Sequence, residues 1–231
     1  MKIVRLLGAL TAALAFVSLH AAADEIRVDA AIGDTFNVGT ISYKQLRFQT
    51  IMRQQYDFSC GSAALASLLT YHYKRPHTEQ DVFEAMYRVG DQANIRKYGF
   101  SLLDMKAYLA SIGMSADGYQ VSLDKLRELQ LPAITLIELK GYKHFVIIKG
   151  IIADRVLIGD PALGVHTMTR KDFETIWSGI VLLIRTDIAV AQASFNPERD
   201  WAAQGVAPIN SAIGLEDIGG FLNNIRPSGI F

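Results

Sequence analysis

Apolar positions follow two different periods along this chain. In the first half they recur at helical spacing; from Pro132 to Thr186 they come as short β-branched runs separated by turn residues. Residues 60–73 (CGSAALASLLTYHY) have the small and aliphatic content of a buried helix. Lys74-Arg75-Pro76-His77 breaks it, because Pro76 lacks an amide donor and disfavours helix at Arg75. Thr78-Glu79-Gln80-Asp81 reads as a capped helix start ahead of Val82, Phe83, Met86 and Val89. Ser101 to Asp104 repeats that signal ahead of Met105, Tyr108, Leu109 and Ile112, and Gly113 closes the helix. Between them, DQANIRKYG (91–99) reads as a loop. GMSADGYQV is extended, and SLDKLRELQ is a short helix from Ser122, stopped before Pro132. PAITLIEL, HFVIIKGI, RVLIGD, GVHTMT and GIVLLIRT then read as strands, with one helix, TRKDFETIW (169–177), among them. Helices first and strands second predict an α+β domain, a helical half packed on an antiparallel sheet.

The ends of the chain read differently. Lys2 and Arg5 precede an apolar stretch at 6–19, and Ala21 and Ala23 stand ahead of Asp24 and Glu25. That is the pattern of a secretory signal cleaved after Ala23. The apolar run is short for a bilayer core of about 30 Å, and no later segment is long and apolar enough to span one. Residues 24–41 are Gly-punctuated, a lead-in strand and turn. From Ala189 the period fades into a Gly-, Asn- and Pro-rich end, a tail that wraps the domain or is partly disordered. The expected division is 1–23 signal peptide, 24–41 lead-in, 42–187 main domain and 188–231 tail.

Composition narrows the partners. The 231 residues are half hydrophobic, enough for one well-packed domain, and the formal net charge is zero. Loss of Lys2 and Arg5 with the signal takes the 23 basic residues to 21 against 23 acidic ones, a net of −2. With no Lys/Arg-rich run, nucleic acid and anionic membrane surfaces are not expected partners. One Cys and scattered His give no metal-ligand spacing, so no metal or other cofactor is expected.

The single cysteine changes the picture most. An exported chain with one thiol has no internal disulfide, so Cys60 is either an inert buried residue or a nucleophile. It stands at the mouth of the 60–73 helix, where unsatisfied N–H groups and the helix dipole favour an anion. Asp57 and Ser59 are candidate caps, and Gly61 and Ser62 keep the first turn small. A thiol nucleophile needs a base. His20 leaves with the signal, His72 and His77 flank a chain break where surface roles are ordinary, and His166 fits either a structural or a chemical role. His144 opens the apolar strand HFVIIKGI. If that strand and DRVLIGD form a hairpin with Gly150 opposite Asp154, His144 lies directly across from Asp160, with Cβ atoms about 4.5–5.5 Å apart. A tighter turn at Ala153-Asp154 slips this register. Asp160 would then orient the imidazole, although an Asp-Pro pair is also an ordinary turn. An oxyanion formed by acyl transfer needs fixed donors. The Cys60 N–H is one, and either Gln54 or Gln55 offers a side-chain amide.

Gln54 with its following QYDFS, Cys60-Gly61, Lys143-His144-Phe145-Val146-Ile147-Ile148-Lys149-Gly150 and Ile158-Gly159-Asp160-Pro161 together resemble the bacteriocin-processing cysteine peptidases. Those are papain-like domains, often fused to ABC exporters, that cut leader peptides after a double glycine. The resemblance spans roughly residues 42–187. It implies Cys60 as nucleophile, His144 as base, Asp160 as its orienting partner and Gln54, six before the cysteine, as the oxyanion amide. A signal peptide and the absence of a transporter domain set this chain apart. It is similar to a free-standing exported branch, and more narrowly to the peptidase encoded with functional-amyloid (Fap-type) secretion systems of Gram-negative bacteria. That likeness implies a periplasmic location and a peptide or protein substrate from an amyloid or secretion system. Two rival readings remain: a non-catalytic peptide-binding assembly factor on a peptidase fold, and a Cys-His amidase.

Overall fold

Side-chain oxygens start most helices among the described residues. The computed structural model describes residues 25–29, 35–39, 42–56 and 58–205. The signal segment, Asp57 and the chain beyond Gly205 lie outside the described residues. The protein divides into two units, Met1–Ile41 and Ser42–Phe231. In the first, β1 (Glu25–Asp29) and β2 (Thr35–Gly39) form an antiparallel hairpin, two strands where the sequence suggests one strand and a turn.

In the second unit, α1 (Tyr43–Arg47) starts with a capping box between Ser42 and Gln45. The buried helix α2 (Cys60–Ser67) runs into a π-helical turn, Leu68–His72. Thr78 caps α3 (Glu79–Val89) through the Asp81 amide. The expected loop at 91–99 is instead α4 (Gln92–Tyr98): the Asp91 carboxylate accepts from the amides of Ala93 and Asn94 and nucleates a turn whose one buried residue is Ile95. Ser101 and Asp104 form a capping box on α5 (Leu102–Ser111). After β3 (Ala116–Gln120), Ser122 caps α6 (Leu123–Leu129).

The remaining strands are β4 (Ala133–Leu139), β5 (Tyr142–Ile152), β6 (Arg155–Asp160), β7 (Gly164–Thr169) and β8 (Trp177–Ile184), with α7 (Arg170–Ile176) capped by Thr169 before the last of them. They form a six-stranded, wholly antiparallel sheet in the order β3-β8-β4-β5-β6-β7. Lys140-Gly141 turns β4 into β5 with positive φ at both residues, the twist a two-residue hairpin needs. α2 packs against α3, α5 and β5, and Leu65, Leu68, Leu69, Met105, Leu109, Ile147 and Val156 are fully buried in the shared core. This helical half on an antiparallel sheet is the expected α+β architecture.

The β5–β6 register differs from the expected one. Ile152 pairs with Arg155, so the turn is the tight Ala153-Asp154 pair, and Gly150 faces Leu157 rather than Asp154. Beyond it the ladder shifts by one: Ile148 pairs with Ile158 and Ile147 with Gly159, leaving Lys149 as the extra residue of a β-bulge. Continued, this pairing brings Asp160 level with Val146, two residues from His144 on the same face. His144 and Asp160 are therefore diagonal neighbours, not direct opposites.

Residues 188–205, the first part of the expected tail, form α8 (Ile188–Gln192) and α9 (Glu198–Gly205). Buried polar contacts tie them to the domain: Ser194 to His72 (2.8 Å), Asp200 to Lys149 (2.5 Å) and Thr50, and Gln204 to the Val165 carbonyl (3.1 Å).

Candidate active site

The helix that begins at Cys60 is packed into the core. Every residue of α2 is buried, and Gly61 sits so close to Met105, Phe100 and Phe145 that a Cβ there would come within 2.9 Å of the Met105 methyl. Cys60 is the first residue of this helix, and its amide lies in the turn that has no intrahelical acceptor. Ser59 occupies the N-cap position but gives no side-chain cap, contrary to the expectation. Its hydroxyl is engaged by the Glu79 carboxylate and the Tyr56 carbonyl, while Ser62 closes the first turn by donating to the Ser59 carbonyl at 2.9 Å.

β5 delivers His144 to this helix end. The residue is paired with Ile137 inside the β4–β5 ladder, two residues further into the strand than its expected place at the mouth. Its Nε2 lies 2.8 Å from Asp160 Oδ1, and the Cys60 side chain is the next group after Asp160 that acts on the ring. With Nε2 committed to the carboxylate, Nδ1 is the nitrogen left for sulfur. The Tyr142 ring lies alongside at 6.2 Å between centroids. Asp160 is fixed from behind, because the same Oδ1 accepts the amides of Ala162 (2.7 Å) and Leu163 (3.1 Å) in the turn to β7.

The electrostatics follow from this burial. Desolvation alone would lower the His144 pKa, but the charge and hydrogen bond of Asp160, then those of Cys60, reverse it and raise it to about 10. Desolvation would raise Asp160, yet His144, His166 and the Ala162 amide hold it down at about 2. The imidazole carries its proton readily here and sits between a carboxylate and a thiol.

Gln54 is tethered to the same corner. Its backbone amide donates to the Pro161 carbonyl at 2.9 Å, next to Asp160, and its side-chain Nε2 donates to the Tyr56 carbonyl at 3.1 Å. Gln55 is held differently: its amide donates to Glu79 Oε1 at 3.2 Å and its side chain is exposed. The structure thus brings Cys60, His144 and Asp160 together and places the Gln54 backbone beside the Asp160 turn.

Three groups around this site carry little sequence signal. His166 pairs with Ile158 and shares the face of Asp160; its Nδ1–H donates to the Gly164 carbonyl, and burial lowers its pKa against the pull of Asp160. Glu79 and the Lys149–Asp200 pair are buried charges in stretches whose pattern reads as helix surface, apolar strand or tail. A buried charge cannot be told from a solvated one by residue type. Among the described residues, no group of three or more His, Cys, Asp or Glu is placed to hold a metal ion, and no helix is long and apolar enough to cross a membrane.

Comparison with known proteins follows the same residues. Residues 48–188 match the peptidase C39 family. A protein of Pseudomonas fluorescens described as "Probable functional amyloid protease FapD" is 44% identical over 143 residues, 62% of this chain and 63% of that protein. The protein of the same description from Pseudomonas aeruginosa is 42% identical over 152 residues, 63% of this chain and 67% of its own length. The chain thus spans slightly less than two thirds of the first relative. Among solved structures, the peptidase domain of Streptococcus ComA, described as a bi-functional ABC transporter in a quorum-sensing pathway, superposes with a TM-score of 0.50. At 21% identity, covering 58% of this chain and 96% of that domain, this is a likeness of fold. The match to 48–188 takes in well over half the chain, including Cys60, His144 and Asp160, and the chain belongs to the peptidase C39 family.

Proposed function

We propose that this chain is a thiol endopeptidase that cuts a peptide or protein substrate of a functional-amyloid or secretion system. The observation that carries the reading is one buried imidazole, 2.8 Å from a carboxylate, whose proton is further favoured by the side chain of a helix-terminal cysteine. In the proposed cycle the Cys60 thiolate attacks the scissile carbonyl carbon. The tetrahedral oxyanion is held by the Cys60 N–H and the second N–H of Gln54 Nε2. Its collapse breaks the C–N bond, and the His144 imidazolium gives its proton to the departing amine, leaving a thioester. Neutral His144 then takes a proton from water, hydroxide adds to the thioester, and collapse releases the new carboxyl group and restores the thiolate. Asp160 keeps the imidazole in the orientation that presents Nδ1 to sulfur.

The similarity to FapD proteins supports an amyloid-system substrate, and the family resemblance supports a cut after small residues, with double glycine the first motif to try. The exported, periplasmic location rests on the signal pattern of residues 1–23. Incubation of the purified chain with the proteins encoded beside it, followed by intact-mass analysis, tests the reading. Wild type is expected to shorten one of them, and Cys60→Ala to leave it whole while keeping its far-UV circular dichroism. Equal cleavage by both would sink the assignment, and slow alkylation of Cys60 at mildly acidic pH would favour the binding-factor alternative.

A further inference from the structure

A strand that carries a catalytic base must present it on the correct face, and one residue of slip reverses every face. Had β5 and β6 kept the register of their turn, in which Ile152 meets Arg155 and Gly150 meets Leu157, Asp160 would come level with Ile147 and face away from His144. The extra residue at Lys149 moves the ladder by one, so that Ile147 meets Gly159 and Asp160 turns to the face of His144. The bulge therefore decides whether the 2.8 Å His144–Asp160 contact exists.

What holds the bulge at this residue comes from the C-terminal segment, beyond the part of the chain that matches the family. β4 ends opposite Ile148, at Ala133, so the strand edge past that point lacks a β4 partner. Asn196 fills the gap: its backbone amide donates to the Lys149 carbonyl at 3.0 Å and its side-chain amide to the Ile151 carbonyl at 3.4 Å. Gly150 admits this contact, since a Cβ there would lie 2.1 Å from Asn196 Oδ1. The Lys149 side chain, fully buried, crosses Gly159 and ends on Asp200 Oδ2 at 2.5 Å and on the hydroxyl and carbonyl of Thr50 at 2.6 and 3.0 Å. If the bulge migrated along β5, Lys149 would swing to the other face and lose the carboxylate that pairs with its buried ammonium, which is strongly unfavourable.

We propose that Asn196 and Asp200 form a clamp that pins Lys149 as the bulged residue of β5 and so positions Asp160 behind His144. The inference rests on the peptidase reading for its purpose, but its geometry does not depend on it. Lys149, Asn196 and Asp200 are positioning residues that act through the strand. A buried ion pair here selects one register among near-equals, the use for which such pairs are best attested.

The test is a double substitution in the full chain, Lys149→Met with Asp200→Leu, which removes both buried charges and keeps the volume filled. The first readout is the downfield proton resonance of His144 Nε2–H, assigned by its loss in His144→Ala. The second is the pH midpoint of Cys60 alkylation by iodoacetamide. The clamp predicts that the folded double variant loses or displaces the resonance and that the midpoint moves away from its wild-type position as the imidazolium loses its anion. A wild-type resonance and midpoint in the folded double variant would overturn it. If that variant fails to fold, Asp200→Asn, which preserves volume, is judged by the same two readouts. Neither readout uses a peptide substrate, so a chain that cleaves nothing defeats the proposed function while the clamp is still decided.

Discussion

His144 and Asp160 owe their charges to one another, and that makes their contribution to stability depend on pH in a definite direction. The pKa of His144 in the fold stands above its ordinary 6.5, at about 10, so its contribution is complete below about pH 6.5 and is lost as pH climbs through about 10. That of Asp160 stands below its ordinary 3.8, at about 2, so its contribution is complete above about pH 4 and is lost as pH falls through about 2. His144 moves further because the Cys60 side chain adds to the upward push. Asp160→Asn is expected to cost about 3 kcal/mol near pH 5.5, because it leaves a buried imidazole without its anion. The penalty should shrink near pH 10.5, where the wild-type pair has already weakened. Urea unfolding of both proteins at the two pH values checks this, and equal penalties would contradict the coupling.

At the scale of elements, the turn between Gln54 and Cys60 is shaped by the first turn of a neighbouring helix. Glu79, in the first turn of α3, accepts the Gln55 amide and the Ser59 hydroxyl, and the Tyr56 carbonyl accepts the Ser59 amide and Gln54 Nε2. Glu79→Ala strips two donors of their acceptor and is expected to cost about 2 kcal/mol in urea unfolding. It should also lower kcat more than it changes KM, because the turn carries the oxyanion donors proposed above. Unchanged stability would show that the network is incidental. The sequence announces α3 through Thr78 and its apolar spacing but conceals Glu79, which reads as an ordinary exposed first-turn acid. It conceals α4 as well: with one buried residue there is no period to detect, and the Asp91 cap is the whole signal.

Across the whole molecule, the family-matched region and the C-terminal segment are one packing unit. A chain ending at Asp187 keeps every strand of the six-stranded sheet but loses Asn196 and Asp200, leaving Lys149 as a buried charge with only Thr50. Such a truncation is expected to lose about 3–5 kcal/mol, measured as a fall in the urea midpoint. Adding Lys149→Met should return part of it, since no unpaired charge then remains. A truncated chain as stable as the full one would show that residues 188–205 are ornamental to the fold.

Local chemistry was enough for much of this protein. Helix starts at Thr78, Ser101 and Ser122 are legible because a cap is a contact three residues long. The strands are legible because β-branched runs between turn residues have few other folds available. Cys60 at a helix mouth, and His144 and Asp160 on neighbouring strands, are likewise local facts. The register that makes the last two meet is not local. It depends on one residue bulging from β5, and that residue bulges where Asp200, 51 positions further along the chain, neutralises its charge, where Asn196 replaces a missing strand, and where Gly150 and Gly159 leave room. Hairpin pairing differs by a single residue between the productive and the unproductive face, and neither strand's own pattern distinguishes them. Only the packed molecule, in which a buried ammonium must find its carboxylate, makes that choice.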